Sequence, residues 1–134
     1  MIILSNSIAQ TIEPGQSATF DTVVLQTGKA EYHRPNSGAV RLLCKCGLYD
    51  VSFGGNIGAT EEGAAQLAIA YDNSSLLETT MISQTAAAGD LNNVSNSTAI
   101  RMMCCDSGLV TVINTGTTTV NIGANPKLKI SRRG

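Results

Sequence analysis

An antiparallel all-β sandwich of the jelly-roll kind is the fold class this chain predicts, on three observations. Apolar residues recur with a period of two, not 3.6, over almost the whole length. Turn chemistry breaks the pattern at short intervals, at Glu13-Pro14-Gly15, Pro35-Asn36-Ser37-Gly38, Asp72-Asn73-Ser74, Asp106-Ser107-Gly108, Asn114-Thr115-Gly116 and Asn125-Pro126. All three prolines fall in these breaks, where a missing N–H costs no ladder bond. Many short strands at such spacing belong to sandwiches and jelly rolls.

Taken in order, residues 1–12 read as an N-terminal arm. Strands are expected over Ala18–Gln26, Val40–Cys46, Leu48–Ile57, Ala64–Tyr71, Leu76–Ile82, Ala99–Cys105, Leu109–Asn114, Thr117–Ile122 and Lys127–Arg132. Glu61–Tyr71 contains strong helix formers. Leu67, Ile69 and Tyr71 nevertheless alternate with Gln66, Ala68 and Ala70, which favours a strand. The small and polar stretch Ser83–Ser97 reads as a long exposed loop, and loops on rigid sandwiches often carry recognition. Thr85, Asp90, Asn92, Asn93 and Asn96 are its candidate ligand residues.

The bulk properties bound the possibilities. A chain of 134 residues suits one domain with one core, leaving about 6,700 Å² exposed. Charged residues make up 14% and the net charge is −1, without the basic excess of a nucleic-acid binder. No apolar run approaches the roughly 18 residues of a membrane span. The opening MIILSNSIAQ lacks the basic start of a signal peptide, so production in a bacterial cytosol is expected.

Two strands are expected to be apolar on both faces. In Ala99–Cys105, Ile100, Met102 and Cys104 point one way, and Met103 and Cys105 the other. In Leu109–Ile113, Val110 and Val112 oppose Leu109 and Ile113. A sandwich strand needs one apolar face only. The simplest cover for the second face is another copy of the chain. Ile100, Met102, Met103, Leu109 and Ile113 are therefore the expected subunit contacts.

Few residues offer chemistry. His33 lies beside Arg34 and Pro35 in an expected turn, where exposure argues for a surface or turn-stabilising role and against catalysis. No catalytic residue is assigned. Cys44 and Cys46 share one strand face, whereas Cys104 and Cys105 diverge. Buried thiols acting as small hydrophobes, a cross-strand or intersubunit disulfide, and a metal site all remain open. A C-x-C pair matches the zinc knuckle spacing poorly. Glu61 and Glu62, with Asp72 and Asp90, could hold a structural calcium or form a solvated acidic turn. Lys127 and Lys129 should point outward from an edge strand whose Leu128 and Ile130 point in. Asn73, Asn93 and Asn96 open Asn-x-Ser/Thr patterns that such a composition produces by chance.

The stretch Phe20–Phe53 carries the most specific pattern. An aromatic-led strand, Phe20–Gly28, is followed by Tyr32–Gly38 with its polar turn. Gly47-Leu48-Tyr49-Asp50-Val51-Ser52-Phe53 comes next. With Asp106-Ser107-Gly108, Asn114-Thr115-Gly116 and the closing strand Leu128–Ile130, this resembles the C1q/tumour-necrosis-factor-like jelly-roll heads. It is most similar to bacterial and phage members, such as spore-surface collagen-like protein heads and phage fibre heads. The chain departs from the family in its scarcity of aromatics and lack of a collagen stalk. The resemblance implies a homotrimeric, non-enzymatic structural or adhesion module without a cofactor. Its expected setting is a phage virion, as a fibre head or decoration protein beside other virion proteins, contacting a host surface or glycan. A bacterial cell- or spore-surface adhesion head is the alternative. No nucleic-acid partner and no membrane insertion are implied. Tyr49, Val51 and Phe53 share one strand face and should fill the core or the trimer axis.

Overall fold

A computed structural model describes residues 1–43, 46–61, 63–85, 87 and 89–133. Thirteen strands follow in chain order: β1 (Ile2–Ser5), β2 (Gln10–Ile12), β3 (Thr22–Gln26), β4 (Glu31–His33), β5 (Val40–Leu42), β6 (Leu48–Ala59), β7 (Gly63–Tyr71), β8 (Ser74–Ser75), β9 (Met81–Thr85), β10 (Asn92–Arg101), β11 (Leu109–Asn114), β12 (Val120–Ile122) and β13 (Lys127–Arg133). A single 3-10 turn, Leu77–Thr79, precedes β9, and no α-helix occurs among the described residues. Every pairing is antiparallel.

Two sheets face each other. One runs β2-β12-β6-β13-β1-β3, with β10 added on the free side of β6; the other runs β4-β5-β11-β7-β8, with β9 also on β7. This is the jelly-roll sandwich that the two-residue period predicts. The exposed surface is 6690 Å². Tyr49, Val51 and Phe53 project from β6 into that core at no more than 1% exposure. Phe53 meets Phe20 edge-on, with ring centroids 6.5 Å apart. The Gly47–Phe53 motif therefore supplies core packing.

Several boundaries differ from the sequence reading. The N-terminal arm is two sheet strands, with Ile2 and Leu4 fully buried. The Ala18–Gln26 strand shortens to β3, because residues 18–20 turn inward to bury Ala18 and Phe20. Leu76–Ile82 becomes the 3-10 turn and the start of β9. The segment Ser83–Ser97 is mostly paired strand: β9 lies on β7 and β10 on β6. Its Asn and Ser residues favour turns in isolation, but tertiary pairing overrides that preference. β13 is not an edge strand; it lies between β6 and β1, although Leu128 and Ile130 do point inward.

His33 is buried, contrary to its expected exposure, and it holds a turn in place. Its Nδ1 lies 3.0 Å from the Ala39 carbonyl oxygen and its Nε2 2.9 Å from that of Phe20. A neutral ring donates to one of these oxygens and a doubly protonated ring to both. Asn36 N also donates to Phe20 O, so the Arg34–Ala39 turn is fastened to Phe20 from two directions. Glu31, on the same strand, is buried with its carboxylate 3.1 Å from the Met1 amine.

These contacts predict two stability changes. Phe53→Ala should cost about 3–5 kcal/mol through lost burial and a residual cavity. His33→Ala should cost about 2–3 kcal/mol, because buried carbonyls lose their donor. Urea unfolding monitored by circular dichroism checks both, and a His33→Ala protein as stable as the parent would overturn the turn-fastening role.

Candidate assembly face

The outer face of β10, β6 and β13 mixes small and long polar side chains in register. Across the three strands, Arg101, Leu48 and Arg133 form one row. The next rows are Ala99, Asp50 and Ser131; Ser97, Ser52 and Lys129; and Ser95, Gly54 and Lys127. Side chains alternate along a strand, so the rows between these turn Tyr49, Val51 and Phe53 into the core. Small residues on β10 and β6 leave a shallow trough, walled by the longer side chains of β13. Its wider part measures about 720 Å³ and is lined by Gly54, Gly55, Asn93, Ser95 and Lys127, among others. A narrower part of about 360 Å³ continues past Ala99, Lys129 and Arg133, and Ser52 and Ser97 line both.

The face is polar and slightly basic. Arg133 clasps Asp50 through both carboxylate oxygens, with Nε 3.0 Å from Oδ2. Lys127, Lys129 and Arg101 make no ion pair among the described residues. The trough's lining residues include no histidine or cysteine; the carboxylate of Asp50 is clasped by Arg133, and the serines have no histidine among the lining residues to activate them. It does offer close approach. With Gly, Ser and Ala on the surface, another protein layer can come near the sheet backbone over the whole trough. β10 adds a ten-residue strand that pairs with β6 alone.

The expected contact residues do not gather on this face. Ile100 and Met102 lie in the core at 4% and 1% exposure, so neither can serve as a surface contact. β10 ends at Arg101, and the chain then turns, which removes the expected two-faced strand over Ala99–Cys105. Met103 is exposed on that turn, while Leu109 and Ile113 are half-buried on the outer side of the opposite sheet. The five residues thus occupy three separate places.

The expected ligand residues are partly committed to structure. Asn92 Nδ2 donates to Ser83 Oγ at 3.1 Å, joining β9 to β10, and Asn96 Nδ2 donates to Glu78 O at 3.2 Å. Asn93 faces the trough and donates to Asn56 Oδ1 at 3.2 Å. Asp90 sits in the turn before β10, with its carbonyl against Gly58, where any Cβ would collide with it. Thr85 closes β9. The calcium grouping is not brought together. Glu61 and Asp72 flank opposite ends of β7, whose nine residues span about 30 Å. Glu62 lies outside the described residues, and among those described no group of three acidic, histidine or cysteine side chains converges.

One end of the sandwich carries the remaining chemistry. Cys46 and Cys104 form a disulfide with Cα atoms 5.2 Å apart, and Cys105 is a free, exposed thiol. The buried-thiol reading is thereby overturned for these three residues, because none is buried. Cys44 lies outside the described residues. Asp106 fixes the turn: its Oδ2 accepts from Tyr71 Oη and from Met103 N, each at 2.9 Å. Burial, then the hydrogen bond and charge of Asp106, hold the Tyr71 phenol above its ordinary value of 10.0. Asp72 accepts from the Ser107 hydroxyl and from Leu109 N. Burial pushes its carboxyl up, but these bonds and the Ser107 and Gly108 amides outweigh burial and hold it below 3.8.

Sequence comparison finds no matching family model and no matching curated protein. Solved structures do match. A tumour-necrosis-factor Eiger from S. frugiperda aligns over 99% of this chain and 91% of its own, at 9% identity and a TM-score of 0.73. The globular domain of zebrafish complement 1qA aligns over 96% and 94%, at 12% identity and a TM-score of 0.61. The PRD1 vertex protein P5 aligns over 95% and 69%, at 16% identity and a TM-score of 0.50. The fold is therefore the C1q/TNF jelly roll.

A pH profile follows from the turn contacts. Asp72, and Asp21, whose carboxyl is lowered chiefly by the Ser7 hydroxyl, stabilise the fold above about pH 3.8. That contribution falls away as pH drops through their lower folded values. Tyr71 contributes below pH 10.0 and loses its contribution as pH rises further. Thermal melts across the pH range should show a plateau with losses at both ends. Tyr71→Phe should flatten the alkaline loss, and an unchanged alkaline limb would refute the Tyr71 assignment.

Proposed function

We propose that the chain is a non-enzymatic structural and adhesion module that works as a homotrimer, with the trough face as its subunit contact. The observation that carries this reading is the small-residue floor of the trough, Gly54, Ser52, Ser95, Ser97 and Ala99, on strands whose other face is bound into the core. With Gly54, Ser52, Ser95, Ser97 and Ala99 on its floor, the trough lets a second sandwich approach β10 and β6 closely. Its setting is a phage virion, as a fibre head or decoration protein. The fold likeness to a vertex protein over 95% of the chain supports that setting. Contact with a host surface or glycan then falls to the loops at the end remote from the disulfide, including the turn at Asp90. The alternative is a bacterial cell- or spore-surface head, and the Cys46–Cys104 disulfide favours it, because such bonds persist in oxidising surroundings.

Light scattering on the purified protein should give three times the 13.9 kDa of one chain. Ser97→Trp places a large side chain in the trough and should shift the mass to a single chain, with the β-sheet circular dichroism unchanged. A parent protein at the mass of one chain would sink the homotrimer. Mass spectrometry of purified virions tests the setting.

A further inference from the structure

Two adjacent rows of the trough bring hydroxyls and cations to one place. Ser97, Ser52 and Lys129 lie side by side on β10, β6 and β13, and Ser95, Gly54 and Lys127 lie side by side in the next row. Neighbouring strands are about 4.8 Å apart, and same-face residues about 7 Å apart along a strand. The six positions therefore frame a box of about 10 Å by 7 Å, with serines along one side and lysines along the other. Ser52 lies in its floor, and Gly54, without a side chain, leaves the floor open beside it. Ser52, Gly54, Ser95, Ser97 and Lys127 all line the wider part of the trough, and Lys129 lines the narrower part that Ser52 and Ser97 share.

The polar groups of this box are not committed within the chain. Lys127 and Lys129 make no ion pair among the described residues, although Lys129 is half-buried. Its neighbour on β1 is Ile3, which offers an ammonium nothing. The hydroxyls of Ser52, Ser95 and Ser97 make no hydrogen bond among the described residues. Asp50, the carboxylate of this face, is one row beyond Ser52 on the side away from Gly54, and Arg133 clasps it. What the box lacks is negative charge. Two ammonium groups on one strand face repel each other, and an anion between them offsets that repulsion. An ammonium only donates, and a hydroxyl proton rotates to suit an acceptor. Donors converge from three strands, so an anion with oxygens pointing in several directions suits them better than a flat carboxylate with two. A phosphate or sulfate group has that shape, and its hydrogen bonds from lysine are of the strong, charge-assisted kind.

We propose that Ser52, Ser95, Ser97, Lys127 and Lys129 form a binding site for a tetrahedral oxoanion, a phosphate or sulfate group. The ammonium groups supply the attraction, and the hydroxyls fix the orientation of the bound group over Gly54. The site is complete within one chain, so it goes beyond the subunit contact and does not rest on it.

The test titrates inorganic phosphate into the isotope-labelled full chain, replacing chloride at constant ionic strength, and follows amide resonances. Those of the five residues should shift saturably, while those at the disulfide end stay fixed. Lys127→Gln and Lys129→Gln should each weaken binding about tenfold, the loss of one charge-assisted hydrogen bond. Ser52→Ala should weaken it about fivefold, a loss that attraction between charges alone would not produce. Lys29→Gln, on the connection from β3 to β4, should leave binding unchanged. Sulfate should compete with phosphate, and acetate should not. A parallel titration with glucose phosphate separates the two sources of such a group: tighter binding than inorganic phosphate assigns it to a sugar, and weaker binding to the free ion. Shifts that grow without saturating, equal shifts at the other lysines, or full binding by the double Lys127→Gln, Lys129→Gln variant would each overturn the proposal. Light scattering on the same samples reads association separately, so failure of the homotrimer and failure of the anion site are distinguishable.

Discussion

Strand β6 is the constraint on which the rest of the sandwich depends. Its first half is clamped between β10 and β13, and its second half passes β13 by and takes β12 instead. One strand thus sets the register of three others. Its inward residues, Tyr49, Val51, Phe53, Ile57 and Ala59, contribute much of the core. Because side chains alternate, fixing those five inward also fixes Asp50, Ser52 and Gly54 outward. The trough face is in this sense the reverse side of the core. A slip of one residue would bury Asp50 and Ser52 and expose Tyr49 and Phe53. The hydrophobic cost of that slip holds the trough in place.

Polar side chains perform a different task at the two ends. Near the disulfide, Asp72, Asp106 and Tyr71 saturate one another and the backbone of a single turn, so their charges are spent on geometry. On the trough, Lys127 and Lys129 have no ion pair among the described residues, and small hydroxyls line the floor. Groups committed within a chain rigidify it, whereas groups left uncommitted are available to another molecule. That difference separates the scaffold from the face that can meet a partner, in a chain with few charges of either sign.

The fold was legible in the sequence because its signal is redundant. Period-two patterning, proline placement and the Gly47–Phe53 strand all indicate the same sandwich, and turn residues locate most of its corners. The assembly face was not legible for two physical reasons. Ser95 and Ser97 are small and polar, and a stretch of such residues resembles a loop until its partner strand is known. Ile100 and Met102 looked like a second apolar face only because the strand was extended past Arg101, where the chain in fact turns. His33 was misplaced for a related reason. Its neighbours Arg34 and Pro35 are exposed, but the carbonyls that draw its ring inward come from Phe20 and Ala39, and only the first of these is distant in sequence. The pairing of Cys46 with Cys104 likewise depends on which connections the fold brings together, which cysteine spacing does not reveal.

The pairing of β1 with β13 has a consequence for how the molecule is made. Ile2 lies opposite Ile130, and Leu4 opposite Leu128. A ribosome delivers the first of each pair well before the second, because the two strands lie far apart in sequence. Ile2 and Leu4 therefore emerge long before their permanent cover exists, and the larger sheet cannot close until β13 has left the exit tunnel. Pairings so distant in sequence make for slow folding, and they leave the nascent chain with an apolar strand seeking any available edge.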